Sequence, residues 1–336
     1  MSTKNFTIAN FYLRKHYENG VRIGVDSSLM READGASPEL LAQPLARLAP
    51  VQLARLFHVI WEQADDEFLG MTLRPVRYGS FAWLAEQLVR CTTLGEVYET
   101  MLRFYNLVAE GIRFELKREC EQVKFILHHA AELDGRVNLL IDFLLLIWHR
   151  FPGWLIGRTI PLDHVELAFA EPWHSAEYRF VFPAPCRFEQ GYSALVFDAH
   201  WLDAPLVQTR ENLTEYLQRI PLQWFQKQHY PRLLSNRVTQ LLAEAGWVVE
   251  SDMETVAGKL NMTTRTLRRK LADEGVSFQQ LKDGLRRDQA ITLLGDNGLT
   301  IAAVGQQIGF AEPAAFSRAF RQWTGMSPLG YRRGLG

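Results

Sequence analysis

The sequence is poor in cysteine, holds no membrane-length apolar run and lacks the short motifs of common catalytic sites. Its three cysteines, Cys91, Cys120 and Cys186, are scattered through 336 residues and form no CxxC pair. An odd, dispersed set argues against a disulfide framework or a zinc site and fits a reducing compartment, so a cytoplasmic protein is expected. The opening MSTKNFTIANFYLRKH has no apolar core of a secretory leader. The most apolar stretch, Val137–Trp148, is interrupted by Asp142 and closed by Arg136 and His149–Arg150. A membrane span needs roughly 20 apolar residues, so a buried helix is expected there, with no membrane partner. No GxSxG, HExxH, P-loop or GxGxxG occurs, and His58, His149, His164 and His174 stand at no metal-ligand spacing. His128 and His129 are neighbours on an expected strand, where they point to opposite faces and cannot share a metal. Asp65–Asp66 reads as an exposed turn. The chain is therefore expected to be no enzyme and to need no cofactor or metal.

A net charge of −1 does not by itself point to nucleic acid, but its distribution is informative. Between Pro231 and Gly336 there are 14 basic and 10 acidic residues, against 23 and 28 in the remainder. A basic C-terminal third on an acidic body is compatible with DNA.

Three parts are expected: a first domain over 1–205, a helical linker over 206–230 broken at Pro221, and a helical domain over 231–336. In the first, Glu39–Ala49, Val51–Ala64, Ser80–Arg90 and Leu94–Val108 have helical periodicity. The period then changes: Gly111–Lys117, Gln122–His128, Asp163–Ala170, Cys186–Phe188 and Ala194–Phe197 read as strands. Helices with a modest sheet make this an α+β domain, followed by an all-α domain with helices at Leu233–Ala245, Met253–Leu260, Arg265–Glu274, Phe278–Leu294, Ile301–Ile308 and Ala314–Thr324.

That last domain contains an internal repeat. Val256, Leu260 and Met262 match Val304, Ile308 and Phe310 at a spacing of 48, and Leu267, Arg269 and Leu271 match Phe316, Arg318 and Phe320 at 49. Each half reads as a bracing helix, a short turn and a second helix. Thr263 is placed to cap the first such helix, Glu312 stands where a cap belongs in the second, and Pro313 takes its first helical position. Leu267 with Leu271, and Phe316 with Phe320, form i, i+4 core pairs. Arg265, Arg268 and Arg269 then fall outside in the first unit, and Ala314, Ala315, Ser317, Arg318 and Arg321 in the second. This is the layout of two helix-turn-helix motifs, whose second helices enter the major groove. Arginine can contact guanine O6 and N7 together, and small residues permit close approach to base edges.

MTTRTLRRKLADEGVSFQQL and GFAEPAAFSRAFRQWTGMSPLGYRR closely resemble the DNA-binding domain of AraC/XylS-type regulators; Gly309, Phe310, Phe316, Arg318, Phe320, Gly325, Pro328, Tyr331 and Arg332 stand where that pattern has them. The resemblance covers about Leu233 to Arg333. It implies two helix-turn-helix subdomains joined by the helix Phe278–Leu294, with Arg265, Arg268, Arg269, Ala314, Ala315, Ser317 and Arg318 facing the bases of double-stranded operator DNA. One departure stands out: Ala302–Ala303–Val304–Gly305 replaces the usual Ala-Glu-Val-Ala, and Gly305 is expected to loosen the second bracing helix.

The first domain resembles the α+β arabinose-binding-type domain of a subgroup of these regulators, on Gly79–Leu84, Leu94–Val97, Cys186–Phe188 and Leu195–Asp198. That resemblance implies sensing of a small-molecule effector or homodimerisation, with RNA polymerase as a further partner. Trp83, Phe104, Tyr105, Trp148 and Trp154 are candidates for a pocket, and Arg74, Arg77 or Arg103 would suit a ligand carboxylate. The competing reading is a DNA-binding regulator without a small-molecule ligand, controlled by a protein partner or by its abundance. An enzyme fused to this module would want a nucleophilic cysteine in a metal or alkyl-acceptor setting, which these three do not offer.

Overall fold

In the computed structural model the alternating segments after Gly111 pair as a hairpin, β3 (Ile112–Glu119) with β4 (Gln122–His129). The structure describes residues 7–133, 137–182, 184–225, 234–244 and 252–335. With β5 (Leu162–Glu166), β6 (Cys186–Arg187) and β7 (Ser193–Asp198) the hairpin makes a five-stranded sheet of order β3-β4-β7-β5-β6. It is antiparallel except for the β5–β6 pair. The expected strand at 163–170 stops at Glu166, because beyond it the chain bonds to the 187–190 segment rather than to a ladder.

Phe114, Val123, Phe125 and Leu127 are buried on this sheet, and the helix Leu94–Val108 packs on it, with Tyr98 stacked on Phe197 at 5.8 Å. The apolar run becomes the buried helix Val137–Leu155. Three of its polar side chains each make a hydrogen bond inside the protein: Tyr178 donates to Asp142 at 2.9 Å, His149 Nε2 donates to the Ile160 carbonyl at 2.8 Å, and Arg150 donates to the Trp224 carbonyl. Among the described residues no helix is long and apolar enough to cross a membrane. Burial pushes the Asp142 carboxyl well above the usual range and lowers the His149 imidazole to about 4.

These elements belong to one compact unit, Lys15–Met30 with Ala54–Phe225. The linker segment supplies two short helices to it, Arg210–Leu217 and Leu222–Phe225, on either side of a cis Ile220–Pro221 bond; 226–230 lie outside the described residues.

The second unit is not the C-terminal segment alone: it joins Met1–Arg14 and Arg31–Leu53 to Gln226–Gly336. The expected helix over 39–49 is only Pro38–Leu41, and β2 (Arg47–Leu48) pairs antiparallel with β1 (Ile8–Ala9). Asn10 holds the intervening turn by donating from Nδ2 to the carbonyls of Leu40, Leu41 and Gln43. Asp288, on the long helix Phe278–Leu294, is 7% exposed and accepts from Thr7 Oγ1 at 2.5 Å and from Arg287, and Arg47, 4% exposed, lies 3.9 Å away. Arg47 also donates to Thr7, Tyr331 donates to the Arg47 carbonyl, and Ser37 N donates to the Gly334 carbonyl at 2.9 Å. Two N-terminal strands are thus fastened to the DNA-binding helices through one buried carboxylate.

Removing one partner of a buried ion pair strands the other, at a cost of about 3 kcal/mol. Asp288→Ala should therefore destabilise this unit by about that amount and speed amide exchange at Ile8–Asn10 and Arg47–Leu48. Wild-type exchange at those amides would show that Asp288 does not hold the strand pair.

Candidate nucleic-acid interface and ligand cavity

The first motif runs from the helix Met253–Lys259 through a turn at Asn261 to the helix Thr264–Asp273. Asp252 caps the bracing helix by accepting from Thr255 N at 2.8 Å, and Thr263 caps the second by accepting from Thr266 N at 3.2 Å. Asn261 takes the turn at φ 53°, a left-handed conformation that asparagine tolerates. Leu267 and Leu271 are fully buried with Val238, Leu242, Val256 and Ala257. Helical geometry turns about 100° per residue, so Arg265 and Arg269 lie across from that pair and Arg268 on its flank, and all three are exposed.

The second motif uses the same plan with the helices Ile301–Gln307 and Pro313–Thr324. Thr300 caps the first of these, whereas Glu312 occupies the cap position of the second without a side-chain cap bond, leaving Pro313 to start the helix. Phe316 and Phe320 are fully buried. Ala314 and Arg318 are exposed and share one face, while Ala315 and Ser317 flank it and are half-buried. Arg321, noted as outward in the sequence but outside the base-facing set, extends that face at i+7 and is exposed. The helix Pro328–Arg333, not foreseen, closes the subdomain with Tyr331 buried edge-on against Phe320 at 5.4 Å.

Gly305 has a packing neighbour that the sequence did not show. It is buried, and a Cβ added there would lie 3.1 Å from Phe316 Cβ and Cδ1. The equivalent pair in the first motif is Ala257 with Leu267, both buried. A larger residue on the recognition helix is matched by a smaller one on the bracing helix, so the glycine lets Phe316 pack close.

The other unit contains a cavity of about 150 Å³. Tyr105 and Trp148 line it as expected, together with His58, Trp61, Glu67, Tyr78, Phe81 and Trp224. Trp83 instead stacks on Phe104 and is 58% exposed, and Trp154 stacks on Phe151. None of the three candidate arginines reaches the cavity: Arg74 pairs with Glu110 and Arg77 with Asp65 at the surface, and Arg103 is exposed. The charge in the wall is acidic. Glu67 is buried, with Oε1 accepting from Gly79 N at 2.9 Å and Oε2 from Phe81 N at 2.8 Å. Burial, assisted by the neighbouring Asp66, raises its pKa to about 7 against those two hydrogen bonds. Asp66 is itself buried, contrary to the exposed turn expected, and organises its loop by accepting from the Phe68, Gly70 and Val76 amides. The signal missed in DDE was that the apolar Phe68–Leu69 follows it directly, drawing the acids inward. No group of His, Cys, Asp and Glu able to hold a metal occurs among the described residues.

Comparison with known proteins agrees with both parts. The family model of the arabinose-binding domain of AraC transcription regulators matches residues 24–206, and a helix-turn-helix domain model matches 256–334. The chain belongs to the AraC-type transcription regulators. It is 24% identical over 311 residues to the ornithine utilization regulator of Pseudomonas aeruginosa, covering 92% of this chain and 91% of that one. VirS of Mycobacterium tuberculosis is 30% identical over 178 residues, 52% of this regulator and 50% of VirS. The crystal structure of CdpR from Pseudomonas aeruginosa aligns over 77% of this chain and 84% of its own at 23% identity, with a TM-score of 0.32. The regulator thus joins a DNA-binding domain of two helix-turn-helix motifs to an arabinose-binding-type N-terminal domain.

Two measurements test this geometry. Gly305→Ala gains about 1 kcal/mol of helix propensity but crowds Phe316, whereas Phe316→Leu opens the space an alanine needs. The double variant should exceed the sum of the two single effects by about 1 kcal/mol of favourable coupling in unfolding measurements; strict additivity would show that the two side chains do not share one volume. Glu67, with its folded pKa raised from 4.5 to about 7, contributes stability that is complete below pH 4.5 and lost as pH rises through 7. The stability of wild type relative to Glu67→Gln should therefore fall by roughly 3 kcal/mol between pH 4.5 and 8. A flat difference would mean that the carboxyl is not desolvated.

Proposed function

We propose that this regulator reads operator DNA with both recognition helices and changes its output when a small molecule fills the cavity of its arabinose-binding-type domain. The observation that carries the effector reading is the aromatic cavity itself, most of whose lining lies within the segment matched by the ligand-domain model. Functionally, residues 1–205 sense and dimerise, 206–230 connect and 231–336 bind DNA. Met1–Arg14 and Arg31–Leu53, which carry the strands Ile8–Ala9 and Arg47–Leu48, are the part of the first segment that belongs with the DNA-binding helices.

Base reading is assigned to Arg265, Arg268 and Arg269 in the first motif and to Ala314, Ala315, Ser317 and Arg318 in the second. The protein works in the cytoplasm as a homodimer, in contact with RNA polymerase, and catalyses no reaction. Two copies of a two-motif module raise affinity through effective concentration. Trp83 and Leu107, 58% and 84% exposed on adjacent helices, offer an apolar surface for the second copy. A thermal-shift screen of the full-length protein against small metabolites tests the effector reading: a stabilising compound should also alter operator affinity. No such compound would favour a regulator governed by a protein partner or by abundance.

The two motifs should divide the work. The first presents three outward arginines, and the second presents Arg318 and Arg321 among small residues. Arginines supply base contacts and phosphate neutralisation, while alanines contribute close fit. Arg268→Ala should lose affinity mainly on the true operator, by about 1–3 kcal/mol. Arg318→Ala should lose it evenly across sequences and reduce the log–log salt slope by about one. A binding-site selection with equal information in both half-sites, one of them erased by Arg318→Ala, would overturn this division.

A further inference from the structure

We propose that the ligand of the aromatic cavity is a small alkylammonium cation, held among the indole and phenol rings with its charge beside the Glu67 carboxylate. This rests on the reading of that cavity as the effector site. The wall is built of touching rings: Trp61 stacks on Tyr78 at 5.7 Å and 24°, meets Trp224 edge-on at 6.0 Å, and Trp224 meets Phe81 at 5.0 Å. Across the cavity Tyr105 meets Trp148 at 5.7 Å. Aromatic faces carry negative potential, and a ring-lined site is the usual means of holding an ammonium group that has left water.

Among the described residues that line the cavity, Glu67 is the only carboxylate and none is lysine or arginine. Its position is set by the Gly79 and Phe81 amides, one on each oxygen, so the carboxylate is in place before any ligand arrives. A carboxylate oxygen can accept more than one hydrogen bond, which leaves capacity on the acid. Burial that raises this acid to about 7 is the cost an adjacent cation would offset.

The same lining disfavours other ligands. Apart from the indole N–H groups, of which those of Trp61 and Trp224 already donate to the Glu67 carbonyl and the Tyr216 hydroxyl, the polar side chains among the described lining residues are His58, Glu67, Tyr78 and Tyr105. A pentose would bury hydroxyls with too few partners, and each unpaired one is costly. An amino-acid zwitterion would bring its carboxylate beside Glu67, with no lysine or arginine among the described lining residues to receive it. The volume of about 150 Å³ limits the guest to the size of a benzene ring or a little more.

The test titrates the full-length protein with tetramethylammonium and choline, against 3,3-dimethylbutan-1-ol (the uncharged carbon isostere of choline) and L-arabinose. Intrinsic tryptophan fluorescence and calorimetry report binding. Both cations should saturate, and choline should bind at least tenfold more tightly than its isostere. Glu67→Gln should bring choline to within about threefold of the isostere, and Tyr78→Leu, with the acid intact, should weaken both cations severalfold. Failure of both cations to bind, equal binding of the isostere or arabinose, or discrimination unchanged in both variants would overturn the assignment. The effector reading stands in those cases if another compound alters operator affinity. Conversely, cation binding that meets every expectation yet leaves operator affinity and transcription unchanged supports the cation site and removes the effector reading.

Discussion

In each recognition helix two buried side chains four residues apart set the rotation of the helix about its axis, Leu267 with Leu271 and Phe316 with Phe320. With that rotation held, the residues across the helix have no choice of direction. Arg265, Arg268 and Arg269 stand in water because the leucines do not. A slip of one residue would turn the helix by about 100° and carry an arginine toward the core, where an unpaired guanidinium costs far more than the motif could supply. DNA reading therefore depends on apolar packing that touches no DNA.

The two motifs reach the same arrangement with different volumes. Gly305 lies against Phe316 in one, and buried Ala257 and Leu267 hold the equivalent positions in the other. Close packing makes such exchanges mutual, since a core tolerates a larger side chain where its neighbour gives up comparable space. What reads along the chain as a weakened helix is, across the motif, a fitted one.

Buried acids elsewhere are answered in distinct ways, and the differences separate structure from function. Asp288 has Thr7 and the guanidinium groups of Arg47 and Arg287, Asp66 has three backbone amides, and Asp142 has the Tyr178 hydroxyl. Each of these tightens the protein around itself. Glu67 has two amides behind it and a ring-lined cavity beside it. A desolvated carboxyl at a cavity wall, rather than inside a closed network, is where a ligand has most to offer electrostatically.

Local pattern carried much of this protein. The i, i+4 apolar pairs, the Thr263 cap and the 48- to 49-residue repeat displayed both DNA-binding motifs and the outward residues on them, because a helix-turn-helix is built from neighbours in sequence. Strand alternation likewise revealed the β3–β4 hairpin. The rest rested on contacts between distant segments. Nothing near Thr7 or Arg47 announces Asp288, 281 residues from Thr7, so residues 1–205 read as one domain with a helix over 39–49. The cavity wall gathers Trp61, Tyr105, Trp148 and Trp224 from four separate helices, and sequence spacing cannot tell a ring in a cavity from a ring in a filled core. Glu67 was passed over because an acid in a charged turn is usually solvated; only the folded chain, by closing apolar rings around it, made it a buried one.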